Sequence, residues 1–159
     1  MPSVLFVCTA NQFRSPIAAA CFLKHIASEK DAKEWRVESA GTWATEGLRA
    51  PGFAARTADS LGLGKLDGHR TRLIGPELLD QFDLVIVMEA GHKEAICAEF
   101  PSVCRRVYLL SELVDDLPYD IPDPATPGVD PAAAGSMIFD LIARGKERIL
   151  KLAEAHSGE

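Results

Sequence analysis

The 159-residue sequence contains only four cysteines, and none of their spacings matches a paired zinc-ligand motif. A chain of this length can bury a hydrophobic core without covalent cross-links, so its cysteine content does not require a disulfide scaffold. We therefore expect reduced thiols and no bound metal.

An excess of basic residues is also missing, since 17 Lys and Arg stand against 23 Asp and Glu and give a formal net charge of −6. Nucleic acids and anionic lipids attract basic surfaces, so this balance argues against both as partners. No apolar run approaches the roughly 20 residues that span a bilayer, and the N-terminus lacks the pattern of a secretory signal. We expect one domain over residues 1–159 in the cytoplasm.

Glycine-rich nucleotide-binding motifs are absent as well, because neither G-x-x-x-x-G-K-[S/T] nor G-x-G-x-x-G occurs. Nothing in the sequence therefore indicates a nucleotide or any other cofactor. Any phosphate group must be bound by a loop of another kind.

One segment has the pattern of such a loop, since residues 8–15 read Cys-Thr-Ala-Asn-Gln-Phe-Arg-Ser. It follows the apolar run Val4–Val7 and precedes a proline, as a loop between a buried strand and a helix would. Loop N–H groups and the helix dipole can hold a tetrahedral oxyanion, and Arg14 can bind two of its oxygens. The same positive field favours the thiolate of Cys8, which predicts a nucleophile beside the bound anion. Ser15 is a candidate N-cap of the helix.

Apolar runs alternate with helical patterns along the chain, and this order predicts an α/β fold: an open four-stranded parallel sheet with helices on both faces. The predicted strands are Val4–Val7, Trp35–Ala40, Leu84–Met88 and Arg106–Leu110. The predicted helices are Ser15–Ser28, Pro51–Leu61, Glu89–Phe100 and Pro131–Ala155. Ligands of such sheets bind at the carboxyl ends of the strands, where Cys8 lies. The proline-rich segment Asp115–Pro131 is predicted to be an active-site flap.

Several motifs, in one order and over nearly the whole chain, resemble the low-molecular-weight protein tyrosine phosphatases. They are Cys8–Pro16, Ser39–Thr42, Gly68–Arg72, Phe82–Met88 and Pro122–Pro124. The resemblance implies a phosphate-binding loop after the first strand and a hydrolase that acts on phosphotyrosine-type substrates through a cysteinyl-phosphate intermediate. A phosphorylated protein or a small phosphomonoester would be its partner.

The resemblance also assigns the catalytic roles. Cys8 would be the nucleophile, Arg14 would bind the phosphoryl oxygens, and Asp123 would protonate the leaving group and later activate water. On local sequence alone, Asp123 would be a turn residue before a proline. Asp120 is the nearest competing carboxylate.

Substrate would contact the loop and one aromatic wall. By resemblance, the substrate-binding residues are Thr9, Ala10, Asn11, Gln12, Phe13, Ser15 and Trp43. For Trp43, a partly buried hydrophobic anchor is the alternative. Ser39 and His69 are expected to join Asn11 and Ser15 in a hydrogen-bond network that supports the loop, and Ser15 to donate a hydrogen bond to the Cys8 thiolate. Asn11 also tolerates the left-handed backbone that such a loop requires.

The sequence departs from the family pattern around the cleft. Ala10 replaces a frequent glycine, and Phe13 replaces the second cysteine of many members. Ala125 and Thr126 stand where tyrosine phosphatases usually have aromatic residues, and Gln12 replaces a more apolar residue. These departures leave phosphorylated arginine open as an alternative substrate.

Two further functions stay open. Cys97 and Cys104 form the C-x6-C spacing of thiol-dependent arsenate reductases, although two structural cysteines are favoured because Cys97 lies well beyond the preceding strand. A weakly active module that only binds phospho-ligands is the third hypothesis. Turnover of a simple aryl phosphate would exclude it.

Overall fold

The computed structural model describes residues 1–30 and 32–159 and contains a four-stranded, all-parallel sheet with the strand order β2-β1-β3-β4. The strands are β1 (Ser3–Cys8), β2 (Arg36–Gly41), β3 (Leu84–Val87) and β4 (Val107–Leu109). The central strand β1 pairs with β2 and β3, so that Cys8 lies opposite Gly41 and Val7 lies opposite Val87. The predicted sheet is confirmed, and its carboxyl edge carries Cys8.

The α-helices cover both faces of this sheet. They are α1 (Arg14–Ile26), α2 (Gly52–Ser60), α3 (Pro76–Asp80), α4 (Ala90–Glu99), α5 (Leu110–Asp115) and α6 (Pro131–Ser157), and two 3-10 helices span Ala32–Glu34 and Pro101–Arg106. All six residues of β1 are buried, because alternate side chains enter two different cores. Val4 and Phe6 pack with α1, α2, α5 and α6, whereas Leu5 packs with α3 and α4.

Two short helices were not predicted. α3 and α5 have five and six residues, too few for a helical period to be visible in the sequence. The fourth strand ends at Leu109, and Leu110 already belongs to α5. The predicted flap is free of helix and strand from 116 to 130, up to the start of α6. Among the described residues, no helix combines the length and the apolar composition that crossing a bilayer requires.

The expectation of reduced thiols is wrong for two of the four cysteines. Cys97, in α4, and Cys104, in the following 3-10 helix, form a disulfide. Cys8 and Cys21 are free and buried. The sequence could not distinguish these states, since the pairing depends on how α4 ends and where the 3-10 helix turns back.

Candidate active site

The loop after β1 encloses the thiol of Cys8. Cys8 is 3% exposed, and the chain then turns through Asn11, which has a left-handed φ of 59°, before α1 begins at Arg14. The N–H groups of residues 10–13 donate to no backbone carbonyl in the described chain. Unpaired N–H groups around a concave loop bind anions. The loop is therefore open to an oxyanion above the sulfur.

The end of β2 lies directly against this loop, and that contact requires a glycine. A Cβ on Gly41 would lie 2.3 Å from the carbonyl oxygen of Thr9 and 3.0 Å from the amide nitrogen of Asn11. Beyond it, the N–H of Thr42 donates to the carbonyl of Cys8 over 2.9 Å. The Ser39–Thr42 motif thus forms one wall of the loop.

The loop is supported by hydrogen bonds that converge on Asn11. Its side-chain amide donates to Ser15 Oγ over 2.8 Å and to Ser39 Oγ over 2.9 Å. The ring of His69 lies 2.7 Å from the carbonyl of Asn11, and burial lowers the pKa of His69 below its ordinary value. The neutral ring can therefore donate from Nε2 to that carbonyl. The structure brings together the four side chains that were predicted to form this network.

Ser15 contacts the thiol instead of capping the helix. Its Oγ lies 3.0 Å from Cys8 Sγ and 3.2 Å from the carbonyl oxygen of Ala40. The predicted capping role is wrong, since α1 begins one residue earlier and the N-cap position is Phe13, which makes no side-chain capping bond. Ser15 Oγ accepts from Asn11 and has a single hydrogen, which it donates to the carbonyl of Ala40 and can turn to the sulfur when Cys8 is a thiolate, since a thiolate only accepts.

Arg14 is almost completely buried, with 2% exposure, and its donors are directed by fixed acceptors. Nη1 donates to Glu89 Oε2 over 2.6 Å and to the carbonyl of Ile121 over 2.9 Å. Nη2 lies 3.3 Å from Thr9 Oγ1 and 3.3 Å from Asp123 Oδ2. Both hydrogens of Nη1 are therefore used, and the Nε–Nη2 edge is the one that can face an anion.

Glu89 and His92 were missed by the sequence reasoning. Glu89 is the N-cap of α4, and its backbone N–H donates to His92 Nδ1 over 3.1 Å. His92 Nε2 lies 2.8 Å from Thr9 Oγ1, and burial lowers the pKa of His92 to about 4. The sequence could have indicated their place in the site, because both residues follow the strand that ends at Val87, at the same sheet edge as Cys8.

The two flap carboxylates have different surroundings. Asp123 faces Arg14, and its Oδ1 also accepts the N–H of Ala125 over 3.0 Å. Its side chain is 35% exposed. Asp120 instead accepts the N–H of Ala90 over 2.8 Å, at the start of α4. Of the two, the structure brings only Asp123 to Arg14.

A small cavity opens over the loop. It is lined by Cys8, Ala10, Gln12, Phe13, Arg14, Phe53, Asp123 and Ala125. Phe13 and Phe53 stack with ring centroids 5.6 Å apart, and Phe53 had not been predicted because α2 showed only a generic helical pattern. Of the residues predicted to bind substrate, Ala10, Gln12 and Phe13 therefore line the cavity. The side chains of Thr9, Asn11 and Ser15 instead make the hydrogen bonds that support the loop.

Trp43 lies outside this cavity. Its backbone N–H donates to the carbonyl of Thr9 over 2.9 Å, but its side chain is 84% exposed. The alternative of a partly buried anchor is wrong. Among residues 1–30 and 32–159, no three His, Cys, Asp or Glu side chains come together as a metal site would require.

A parallel α/β sheet whose first strand ends in this cysteine and arginine loop defines a class of cysteine-dependent phosphatases. The family model described as low molecular weight phosphotyrosine protein phosphatase matches residues 3–154, and the chain belongs to that family. It is a phosphatase of the low-molecular-weight type.

Phosphatases of two different specificities are similar to this chain. A protein-arginine-phosphatase of Geobacillus stearothermophilus is 34% identical over 76% of this chain and 77% of its own. The protein-tyrosine-phosphatase Wzb of Escherichia coli K12 is 32% identical over 89% of this chain and 90% of its own. Among solved structures, the YwlE arginine phosphatase from Geobacillus stearothermophilus has a TM-score of 0.81, 31% identity and coverage of 98% and 97% of the two chains. A YwlE mutant with a phosphorylated active-site serine has a TM-score of 0.82 at 26% identity, covering 94% and 96%.

Proposed function

We propose that the protein hydrolyses phosphotyrosine-type phosphomonoesters of phosphorylated proteins through a covalent phosphoryl group on Cys8. The observation that carries this proposal is that Cys8 and Arg14 line one small cavity, at a loop whose N–H groups of residues 10–13 donate to no backbone carbonyl. The phosphorylated active-site serine described for the YwlE mutant supports the covalent step.

In the first step, the thiolate of Cys8 attacks phosphorus, an S–P bond forms and the P–O bond to the leaving group breaks. The departing oxygen takes a proton from the carboxyl group of Asp123. Arg14 and the loop N–H groups bind the three remaining phosphoryl oxygens, where negative charge concentrates in the transition state.

In the second step, water attacks phosphorus and gives its proton to Asp123, while the S–P bond breaks and the electron pair returns to sulfur. The hydroxyl of Ser15, 3.0 Å from Sγ, donates to the thiolate that is released. Phosphate then leaves the loop. At the end of this step Cys8 is again a thiolate and Asp123 again carries the proton, as at the start of the first step.

The contact between Arg14 Nη2 and Asp123 has a role in this cycle. Asp123 occupies the Nη2 donor at 3.3 Å, so a phosphoryl oxygen must replace its carboxylate there. The carboxyl group of Asp123 is thereby released from Arg14 and can reach the oxygen of the leaving group.

A change of leaving group tests the role of Asp123. Asp123→Asn should slow phenyl phosphate hydrolysis by about 10²–10⁴-fold, because phenoxide leaves poorly without a proton. para-Nitrophenyl phosphate should lose much less, since its oxygen needs little protonation. Asp120→Asn is the matched control and should retain activity on both esters. A loss below about tenfold on phenyl phosphate for Asp123→Asn would remove this residue from the role.

The substrate side chain has two candidates. The stacked pair Phe13–Phe53 in the cavity supports a phenyl ring and hence phosphotyrosine. Gln12 in the same lining offers an amide acceptor for a guanidinium, and arginine phosphatases among the relatives support phosphoarginine as the second candidate. Peptides of one sequence carrying phosphotyrosine, phosphoserine or phosphoarginine should be compared by kcat/KM. Preference for phosphoarginine that Gln12→Leu abolishes would establish the second candidate.

A further inference from the structure

His92 is a buried titratable residue that the two chemical steps do not use. It lies in the first turn of α4 and is only 6% exposed. It is surrounded by groups from four parts of the chain. These groups are Glu89 before α4, Arg14 of α1, Thr9 of the loop, and Asp120 and Asp123 of the flap.

The contacts of the ring determine which nitrogen carries the proton. The backbone N–H of Glu89 can only donate, so Nδ1, 3.1 Å away, must accept and carries no hydrogen. Burial keeps the ring neutral, with a pKa of about 4, and its single hydrogen is then on Nε2. Nε2 therefore donates to Thr9 Oγ1 over 2.8 Å.

The hydroxyl of Thr9 links this ring to Arg14. Its oxygen accepts from His92 Nε2 and, over 3.3 Å, from Arg14 Nη2. With both lone pairs used, the position of the oxygen is fixed from two sides. Nη2 belongs to the edge of the guanidinium that faces the anion, whereas Nη1 is held separately by Glu89 and the carbonyl of Ile121.

We infer that His92 is a positioning residue of the phosphoryl site, which acts through the Thr9 hydroxyl to orient the Nη2 donor of Arg14. The inference rests on the proposed function insofar as Arg14 binds the phosphoryl group. A bidentate pair loses strength steeply when one donor turns away, so a small displacement of Nη2 weakens oxyanion binding.

Two variants separate this role from helix capping. His92→Asn retains an acceptor for the N–H of Glu89 but is too short to reach Thr9. Thr9→Val removes the hydroxyl at constant shape, and Thr9→Ser is the matched control that retains it. Inorganic phosphate affinity, measured by calorimetry, and kcat/KM on an aryl phosphate should each fall about three- to tenfold in His92→Asn and in Thr9→Val, the range of one lost hydrogen bond. Thr9→Ser, which keeps the hydroxyl, should lose less phosphate affinity than Thr9→Val.

The double variant gives the decisive comparison. Because the two residues act through one contact, His92→Asn should change phosphate affinity less than about twofold when Thr9→Val is already present. Independent, additive losses would overturn the inference, as would wild-type phosphate affinity in His92→Asn. A purely structural role would lower the unfolding temperature of His92→Asn and leave phosphate affinity unchanged.

A measurement on the wild-type protein is available if His92→Asn does not fold. Nitrogen NMR of the His92 ring should show a protonated Nε2 and an unprotonated Nδ1 at neutral pH, and Thr9→Val should shift the Nε2 resonance. A hydrogen on Nδ1 would contradict the inference. Phosphate affinity needs no turnover, so an enzyme inactive on phosphate esters would refute the proposed function and leave this test intact.

Discussion

Arg14 illustrates how a charge is kept inside this molecule. An isolated buried guanidinium would lose its hydration, and the loss is offset here by Glu89 at 2.6 Å and by the carbonyl of Ile121 at 2.9 Å. These partners occupy one side of the group and leave the other for an anion. Replacement by lysine should therefore fail, because an ammonium cannot satisfy Glu89 and bind two phosphoryl oxygens in one plane.

His92 should make folding stability depend on pH. Its pKa falls from an ordinary 6.5 to about 4 in the folded protein because burial disfavours the charged ring. The unfolded chain then takes up the proton first, so the stabilisation is complete above pH 6.5 and is lost as the pH falls to 4. The loss amounts to about 3 kcal/mol. Urea unfolding of the wild type and His92→Asn at a series of pH values measures it.

The difference between the two proteins is the relevant quantity, since burial also lowers the pKa of His25 and His69 and they contribute in the same direction. The wild type should lose more stability on acidification than His92→Asn does. Parallel curves from pH 7 to pH 4 would show that His92 is not a neutral buried ring.

At the scale of residues, a role in the site could be predicted from the sequence where it depends on neighbours along the chain. Cys8, Arg14 and the left-handed Asn11 follow from one short segment. Glu89 and His92 do not, because they reach the loop across 75 and 83 positions and only the pairing of β1 with β3 brings them there.

At the scale of elements, α6 packs closely on its neighbours through glycines. A Cβ at Gly145 would lie 2.6 Å from Cγ2 of Val114 in α5. Val114 is β-branched and has little freedom to turn aside. This close approach has no signature in the helical pattern of α6.

Gly145→Ala should therefore destabilise the protein, since overpacking costs about 1–3 kcal/mol and exceeds a gain of about 1 kcal/mol in helix propensity. Chemical denaturation measures the change. In a Val114→Ala background the space is open, and the same substitution should be neutral or stabilising. Equal stabilisation in both backgrounds would contradict this packing.

The long strands and helices could be predicted because burial on both faces and a helical period are visible in one segment. α3 and α5 could not, because they are single turns or little more that form where the chain packs on the sheet. The cap of α1 was predicted wrongly for a related reason. Ser15 had the right residue type for capping, but the contacts that decide its role come from Cys8 and Asn11.

For the whole molecule, the disulfide is the main departure from what composition suggested. Cys97 is about 10 Å along α4 from its first residue, at the rise of a regular helix, and therefore away from the site at the carboxyl edge. The arsenate reductase hypothesis required a relay cysteine near the strand end, and Cys97 does not lie there. The cytoplasmic location stays a prediction.

Removal of the disulfide should lower stability and leave catalysis unchanged. The double variant Cys97→Ser, Cys104→Ser should lose about 2–3 kcal/mol of unfolding free energy, the entropy expected for such a short closed loop. Its kcat/KM on an aryl phosphate should stay within about twofold of the wild type. Loss of activity in a variant that remains folded would mean that the pair is coupled to the site.

Mass spectrometry of enzyme quenched in acid during hydrolysis of a phosphotyrosine peptide shows whether Cys8 carries the phosphoryl group during turnover. We expect one added phosphoryl group, located on the peptide that contains Cys8, in the wild type and none in Cys8→Ala. Full steady-state turnover without phosphoryl at this position, or turnover by Cys8→Ala, would contradict it.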